Sequence, residues 1–203
     1  MKKLFLLLFY LFVTLEASDT YYFRCQDGYN FAARYEDEKM WLFLPRVTVA
    51  LREVEYAEPS RMFTDDKINF ILEGEHARVA FDGLGYLFCE NDALRAQKEQ
   101  EKFDGYDFRA HGYNQRGWKL LLRGSGRSSL IYEEGKKRFD FKLPNPVRSG
   151  DSTLYIVKKG DDRIFIELHG RRCIDKKSGR RYESIVTIRL NALSFAGCGE
   201  ALH

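Results

Sequence analysis

The stretch that decides the fold is YYFRCQDGYNFAARY, residues 21–35. Two runs rich in aromatic side chains, 21–24 and 30–35, flank the turn-forming sequence QDG. In the second run every other residue is apolar, in the pattern FxAxY. This period of two, combined with a polar turn, is typical of neighbouring β-strands whose side chains point alternately to two faces.

Similar short runs follow along the whole chain, spaced by roughly ten residues, as in barrels and sandwiches. The predicted strands are 21–24, 30–35, 40–44, 47–54, 68–72, 77–81 and 86–89, followed by 106–111, 118–123, 129–133, 138–143, 153–158, 163–169, 185–190 and 193–196. Aromatic residues make up 15% of the chain, and they favour strands because they fit a pleated, half-buried surface. We therefore expect an all-β protein of two small antiparallel β-barrels in tandem, with Trp118 in a core.

Composition excludes several other classes of protein. With 44% apolar and 31% charged residues among 203, the chain is not a disordered tail, a fibrous repeat or a polytopic membrane protein. Its net charge of +3 is too small to indicate a nucleic-acid partner. No glycine-rich phosphate loop is present, because the Gly124–Gly126 turn lacks the lysine and the hydroxyl residue of that motif. We therefore expect no nucleic acid and no cofactor.

Charge divides the chain into two halves of opposite sign. Residues 18–90 contain 8 basic and 14 acidic side chains, a net charge of −6, whereas residues 91–203 contain 23 basic and 15 acidic ones, a net charge of +8. This asymmetry indicates two units with different partners.

The boundary between these units is predicted at residues 91–105, which form a linker. Positions 92–102 within it are good helix formers with few apolar residues, and Asn91 or Asp92 can cap the helix. A polar helix of this kind is usually solvated. The second domain then covers 106–203.

The first seventeen residues, 1–17, have the pattern of a cleavable signal peptide. Lys2 and Lys3 precede an apolar run that is too short to span a bilayer, and Ala17 offers a small residue at the cleavage point. An uncleaved anchor is the alternative. No cysteine directly follows the apolar run, so no lipid anchor is expected. These features predict an exported protein of the Gram-negative periplasm, without a membrane span.

Four cysteines, an even number, fit the same division of the chain. They allow three pairings, and two self-contained domains favour Cys25 with Cys89 and Cys173 with Cys198. Closing these loops would restrict the unfolded chain by about 4 and about 3.5 kcal/mol. A metal or redox site is the alternative, but the chain has no Cys-x-x-Cys and its four histidines do not cluster. We therefore expect disulfides and no metal.

The acidic half resembles a known family. The frame YFRC at 22–25, GYNF at 28–31, the run 70–77 and the closing Cys89 is similar to the membrane-bound and periplasmic inhibitors of C-type lysozyme, over residues 20–90. Membership would imply an eight-stranded antiparallel barrel with a loop that plugs the lysozyme cleft. C-type lysozymes are strongly basic, and a domain of charge −6 would attract them.

The resemblance assigns lysozyme-binding roles to two segments, at 58–63 and 70–74. They contain the candidate binding residues Ser60, Arg61, Phe63, Glu73 and Gly74. The first segment of the family reads Ser-Gly-x-(Arg/Lys)-Tyr, and here Pro59 takes the serine position unless the alignment slips by one residue. The second supplies a lysine, which Glu73 replaces, and a carboxylate would repel the carboxyl groups of lysozyme. Either the plug is rebuilt or the target has changed.

The basic half is similar to an uncharacterised bacterial envelope domain over residues 106–202. The resemblance is carried by FRAHG at 108–112, GW at 117–118 and the cysteine-flanked segment that begins at Cys173. A cationic cluster surrounds a predicted turn there, comprising Arg171, Arg172, Lys176, Lys177, Arg180 and Arg181. It is either a solvated face or a surface for anionic cell-wall or outer-membrane material. No nucleophile–histidine–carboxylate order is recognisable, and His169 and His111 are the only bases we can suggest, so we do not expect an enzyme.

Overall fold

The computed structural model describes residues 19–203, so the predicted signal peptide, 1–17, lies outside the described residues. The chain separates into two compact units, with the division between Gln97 and Lys98. Each unit has its own buried apolar core.

The first unit is a closed barrel of eight antiparallel strands. Its strands are β1 (Asp19–Cys25), β2 (Asn30–Glu36), β3 (Lys39–Phe43), β4 (Thr48–Val54), β5 (Arg61–Thr64), β6 (Ile68–Glu73), β7 (His76–Phe81) and β8 (Leu87–Asn91). Each strand pairs with the next along the chain, and β8 pairs with β1 to close the barrel. The predicted all-β class is confirmed.

The period-two pattern explains the core of this barrel. Alternate residues point inward, so Phe31 and Ala33 of β2 and Phe70 of β6 are buried. Phe23 packs against both phenylalanine rings, with centroids 5.6 Å away in each case. A ring-filled interior is expected of an eight-stranded barrel, which is just wide enough to be filled by side chains.

A disulfide joins the first and last strands of the barrel. Cys25 of β1 and Cys89 of β8 face each other in the ladder and are bonded, as predicted. The covalent link therefore lies at the pairing that closes the barrel, where strands far apart in sequence meet.

The second unit is built on one curled, nine-stranded antiparallel sheet. Its strands are β9 (Phe108–Gly112), β10 (Trp118–Leu122), β11 (Arg127–Tyr132), β12 (Lys137–Lys142), β13 (Val147–Ser149), β14 (Ser152–Lys159), β15 (Asp162–His169), β18 (Ser184–Leu190) and β19 (Leu193–Ala201), and a separate hairpin comprises β16 (Cys173–Ile174) and β17 (Arg181–Tyr182). The sheet order is β12-β11-β10-β9-β19-β18-β15-β14-β13, so β12 and β13 form the two edges. This half-barrel is thus open where the first barrel is closed. Trp118 is buried in its core, as predicted.

Among residues 19–203 there is one helix, α1 (Ala93–Phe103), which follows β8 and precedes β9 along the chain. The side chain of Asp92 caps it by accepting a hydrogen bond from the Arg95 N–H at 3.2 Å. The expectation of a solvated linker is wrong for the second half of α1. There the buried Glu101 pairs with Arg109 at 3.3 Å and with Lys119 at 3.1 Å, so this part of the helix belongs to the second unit.

Candidate functional site

The two segments singled out by the lysozyme-inhibitor resemblance meet at one end of the first barrel. Arg61 and Leu72 are opposite each other in the β5–β6 ladder, so Ser60 and Glu73 lie together just beyond that pair. The hydroxyl Oγ of Ser60 donates a hydrogen bond to Oε1 of Glu73 at 3.3 Å. Gly74, with φ at +61°, starts the turn into β7 in the left-handed region that glycine adopts readily.

Arg78 of β7, which sequence reasoning missed, completes this group. Its guanidinium forms an ion pair with the Glu73 carboxylate, and about a third of each side chain is exposed. The hydrogen bond to Glu73 raises the pKa of Arg78 above its usual value. The two residues are diagonal neighbours across the β6–β7 hairpin, since Ile71 is opposite Arg78 and Glu73 is opposite His76. The hairpin register was therefore the signal that could have identified Arg78.

Arg61, one of the candidate lysozyme-binding residues, already has partners within the barrel. Its guanidinium donates to both carboxylate oxygens of Glu53, each at 2.7 Å. The side chain also lies over the rings of Tyr35 and Phe63, at 4.1 and 5.1 Å from their centroids. The hydrogen bonds from Arg61 lower the pKa of Glu53, although partial burial opposes them. Arg61 thus caps the interior of the barrel, with its charge already neutralised.

Phe63 is fully buried and belongs to the core of the barrel. Its ring packs against those of Tyr35 and Phe70, with centroids 5.8 and 6.2 Å away. Its ring packs under the Arg61 guanidinium, and because Phe63 is fully buried it cannot contact a partner directly.

Carboxylates surround this end of the barrel. Because consecutive strands are antiparallel, the start of β1 and the turns β2–β3, β4–β5 and β6–β7 all lie at the same end. We call the acidic residues there the acidic rim: Asp19, Glu36, Asp37, Glu38, Glu53, Glu55, Glu58, Glu73 and Glu75. These are nine of the fourteen acidic residues counted between 18 and 90. Three of them, Glu36, Glu53 and Glu73, are paired with arginines, and the other six leave a negative charge at this end of the barrel.

A second polar cluster, centred on Asp175, lies in the second unit. One carboxylate oxygen, Oδ2, is 3.0 Å from Nε2 of His111 and accepts from the hydroxyl of Tyr113 at 3.1 Å. The other, Oδ1, accepts from the backbone N–H groups of Lys177 at 2.7 Å and Ser178 at 3.2 Å. Asp175 is almost completely buried.

The pKa of Asp175 reflects these donors. Burial by itself raises the pKa of the carboxyl. The hydrogen bond from His111 is the largest opposing effect, followed by the backbone N–H groups and Tyr113. Together they lower the pKa to about 2, so Asp175 is a charged anchor and not a proton donor near neutral pH.

This anchor holds the β16–β17 hairpin, which we call the basic hairpin together with Arg171 and Arg172. The predicted disulfide between Cys173 and Cys198 is present and ties β16 to β19. Arg171 pairs with Asp151 at 2.7 Å. Within the part of the chain that the structure describes, its other cations have no ion-pair partner: Arg172, Lys176, Lys177, Arg180 and Arg181.

His169, the other candidate base, contacts the side chains of Ser152 and Glu167. Oγ of Ser152 lies 2.8 Å from Nδ1 of His169, and Oε1 of Glu167 lies 3.3 Å from Nε2. A hydrolase also needs a site that excludes water and donors for an oxyanion. The Glu167 side chain is 45% exposed, which is contrary to that requirement.

Comparisons with family models, with curated proteins and with solved structures found no match for this chain. Among residues 19–203, no group of three or more His, Cys, Asp or Glu side chains is placed to hold a metal ion. Nor does any helix in that range have the length and apolar character needed to cross a bilayer.

Proposed function

We propose that the first unit is a non-enzymatic inhibitor of C-type lysozyme that acts in the periplasm. The observation that carries this proposal is the pairing of Ser60 with Glu73 at the acidic rim of a closed, disulfide-bonded barrel. The two segments that the resemblance assigns to the lysozyme cleft are thus adjacent, with Glu73 exposed and Ser60 partly exposed beside it. Both disulfides are in keeping with an oxidising compartment such as the periplasm.

Electrostatic attraction supports a basic target. The acidic rim leaves a negative charge at the end of the barrel that contains Ser60, and this charge would steer a cationic enzyme toward that end. Screening shortens the range of this attraction to about 10 Å at ~0.1 M salt. Association should therefore slow as salt is added, while contacts within a closed interface should be affected less.

The contact chemistry depends on Ser60 and Arg78. A lysozyme cleft contains two catalytic carboxyl groups, and the Ser60 hydroxyl and the Arg78 guanidinium are donors suited to them. In this structure both groups contact the Glu73 carboxylate instead. Ion pairs this close to solvent contribute little to stability, so Arg78 can exchange Glu73 for a lysozyme carboxylate at little cost.

Inhibition of a C-type lysozyme by the purified protein tests this proposal. Ser60→Ala and Arg78→Ala should each weaken inhibition by about tenfold, because each removes a hydrogen bond to a charged group. Glu73→Gln should strengthen it, since the competing charge is gone while the side-chain shape is kept. Arg46→Ala, on a turn at the opposite end of the barrel, is the matched control and should change nothing. Absence of both inhibition and salt-sensitive binding would contradict the proposal.

For the second unit we propose binding of anionic cell-wall or outer-membrane material through the basic hairpin. The specific observation is that Asp175 and the Cys173–Cys198 bond hold this hairpin in place while most of its cations have no acidic partner in the described residues. The test is retention of the purified protein on peptidoglycan and on lipopolysaccharide at low salt. The double variant Lys176→Gln/Lys177→Gln should reduce retention, whereas Lys136→Gln, on the β11–β12 turn, should not. Equal retention of all three proteins would refute this role.

A further inference from the structure

The open side of the second unit contains a cavity of about 460 Å³. It lies where the edge strand β12 curls toward β14, which is not its hydrogen-bonded neighbour in the sheet. Lys159 of β14 reaches across this gap and donates through Nζ to the backbone carbonyl of Asp140 at 2.9 Å. We call this place the seam cavity.

Cationic side chains dominate the lining of the seam cavity. Arg127, Lys142, Lys158 and Lys159 all line it. Of these, neither Arg127 nor Lys142 nor Lys158 has an ion-pair partner within the range 19–203. Like charges that line one cavity repel each other, and an anion between them would relieve that repulsion.

The one lining carboxylate is already engaged. Oδ1 of Asp140 accepts from the hydroxyl of Ser129 at 2.6 Å and from Nε of Arg138 at 2.7 Å. Partial burial raises the pKa of Asp140, but these two donors, together with the positive charges of Arg138 and Arg127, hold the pKa below its usual value. Asp140 is therefore ionised and bonded to its own partners, and the net charge facing the cavity stays positive.

The floor of the seam cavity is apolar. Phe141 and Val157 line it and are almost completely buried in the core of the unit. Ligand sites commonly have this composition, in which apolar walls carry a few charged groups that fix the orientation, and their volumes are on the order of 300–1,000 Å³.

We infer that the seam cavity binds a phosphate monoester attached to a group of about the size of a sugar ring. A phosphomonoester carries a charge of about −1.5 to −2 and three acceptor oxygens, which matches several separate donors better than a single carboxylate does. Arg127 can engage two of those oxygens through its planar guanidinium, while the lysines act as point charges. The organic part then covers Phe141 and Val157.

The seam cavity is separate from the two surfaces proposed above to bind lysozyme and envelope material. It shares no residue with the acidic rim or with the basic hairpin. Binding at the seam cavity can therefore succeed or fail independently of lysozyme inhibition and of retention on envelope polymers.

The test is calorimetric titration of the purified protein with glucose 1-phosphate at about 0.15 M salt, where weak surface attraction is largely screened. Glucose serves as the neutral comparison, and inorganic phosphate shows whether the organic part contributes. Phosphatidylcholine vesicles with and without phosphatidic acid show whether a lipid headgroup is the preferred source of the phosphate. We expect saturable binding of one phosphate ester, soluble or lipid, and no binding of glucose.

Two matched double variants locate the binding. Lys142→Gln/Lys158→Gln should weaken it by about tenfold or more, since two charge-assisted hydrogen bonds are lost. Lys176→Gln/Lys177→Gln, which removes the same charge from the basic hairpin, should leave it unchanged. Both pairs lie on the surface, and unchanged circular dichroism would show that the fold is retained. No saturable binding of any phosphate probe, or equal weakening by both variants, would overturn the inference.

Discussion

Replacing Asp175 by asparagine should test how strongly the buried carboxylate anchors the basic hairpin. The substitution keeps the shape of the side chain and one oxygen, which can still accept from the backbone N–H groups of Lys177 and Ser178. The new amide group then faces His111 and Tyr113 in place of a charged oxygen. Two charge-assisted hydrogen bonds are lost as a result.

The magnitude follows from the pKa of Asp175, which lies at about 2 instead of its ordinary 3.8. Since one pKa unit corresponds to about 1.4 kcal/mol, the charged form stabilises the folded unit by about 2 kcal/mol at neutral pH. The pKa is lower in the folded state than in the unfolded state. This stabilisation is therefore complete well above pH 3.8 and is lost as the pH falls toward 2.

Urea unfolding followed by tryptophan fluorescence measures this loss. The chain has two tryptophans, Trp41 in the first unit and Trp118 in the core of the second, so a Trp41→Phe background makes the signal specific for the second unit. Asp175→Asn should lower the free energy of unfolding by about 2 kcal/mol at neutral pH and by about half as much near pH 3. Asp151→Asn, which breaks an exposed pair with Arg171, is the control and should have a much smaller effect. A loss for Asp175→Asn that is equally large at both pH values would refute this reasoning.

Three further substitutions test the cores and the helix, each by urea unfolding of the unit concerned. Phe63→Ala should lower the free energy of unfolding by about 3–5 kcal/mol, as expected when a large ring is removed from a core. Phe88→Ala, at an exposed position, should lower it far less. Similar losses for the two variants would contradict the burial of Phe63. Gly197→Ala should destabilise the second unit strongly, because the new methyl group would collide with the backbone carbonyl of His111. An unchanged midpoint of urea unfolding would show that strands β9 and β19 move apart easily. Glu101→Gln should lower the free energy of unfolding by about 1–3 kcal/mol, because Lys119 loses its carboxylate partner while Arg109 keeps its ion pair with Glu200. A neutral effect would mean that the second half of α1 is solvated.

Most of the first barrel could be predicted from the sequence because its strands are long enough to show alternation. The exception is β5, which has only four residues, RMFT, and follows the polar segment 55–60. A strand this short carries too little pattern to be recognised by itself. Its pairing with β6, which depends on the hydrogen-bonding needs of neighbouring strands, places it in the sheet.

The candidate site shows a similar division. The sequence identified Ser60 and Glu73 through the resemblance, but not Arg78, because its contact with Glu73 arises from the register of a hairpin. It also did not reveal that Arg61 is neutralised by Glu53, since that pair joins two strands across a loop. Charges that are equivalent in sequence thus differ in availability once neighbouring strands bring their partners close.

By itself, the sequence determined the all-β class and the two units of opposite charge, and it favoured the cysteine pairing that the structure contains. These features depend on local alternation, on composition and on the separation of the chain into halves. All three can be recognised from the order of the residues alone. Only the tertiary structure decided that the second sheet stays open, that Asp92 caps α1, and which cations have no acidic partner among the described residues. Closure and pairing depend on contacts between residues far apart in sequence, where the geometry of the folded backbone determines which side chains meet.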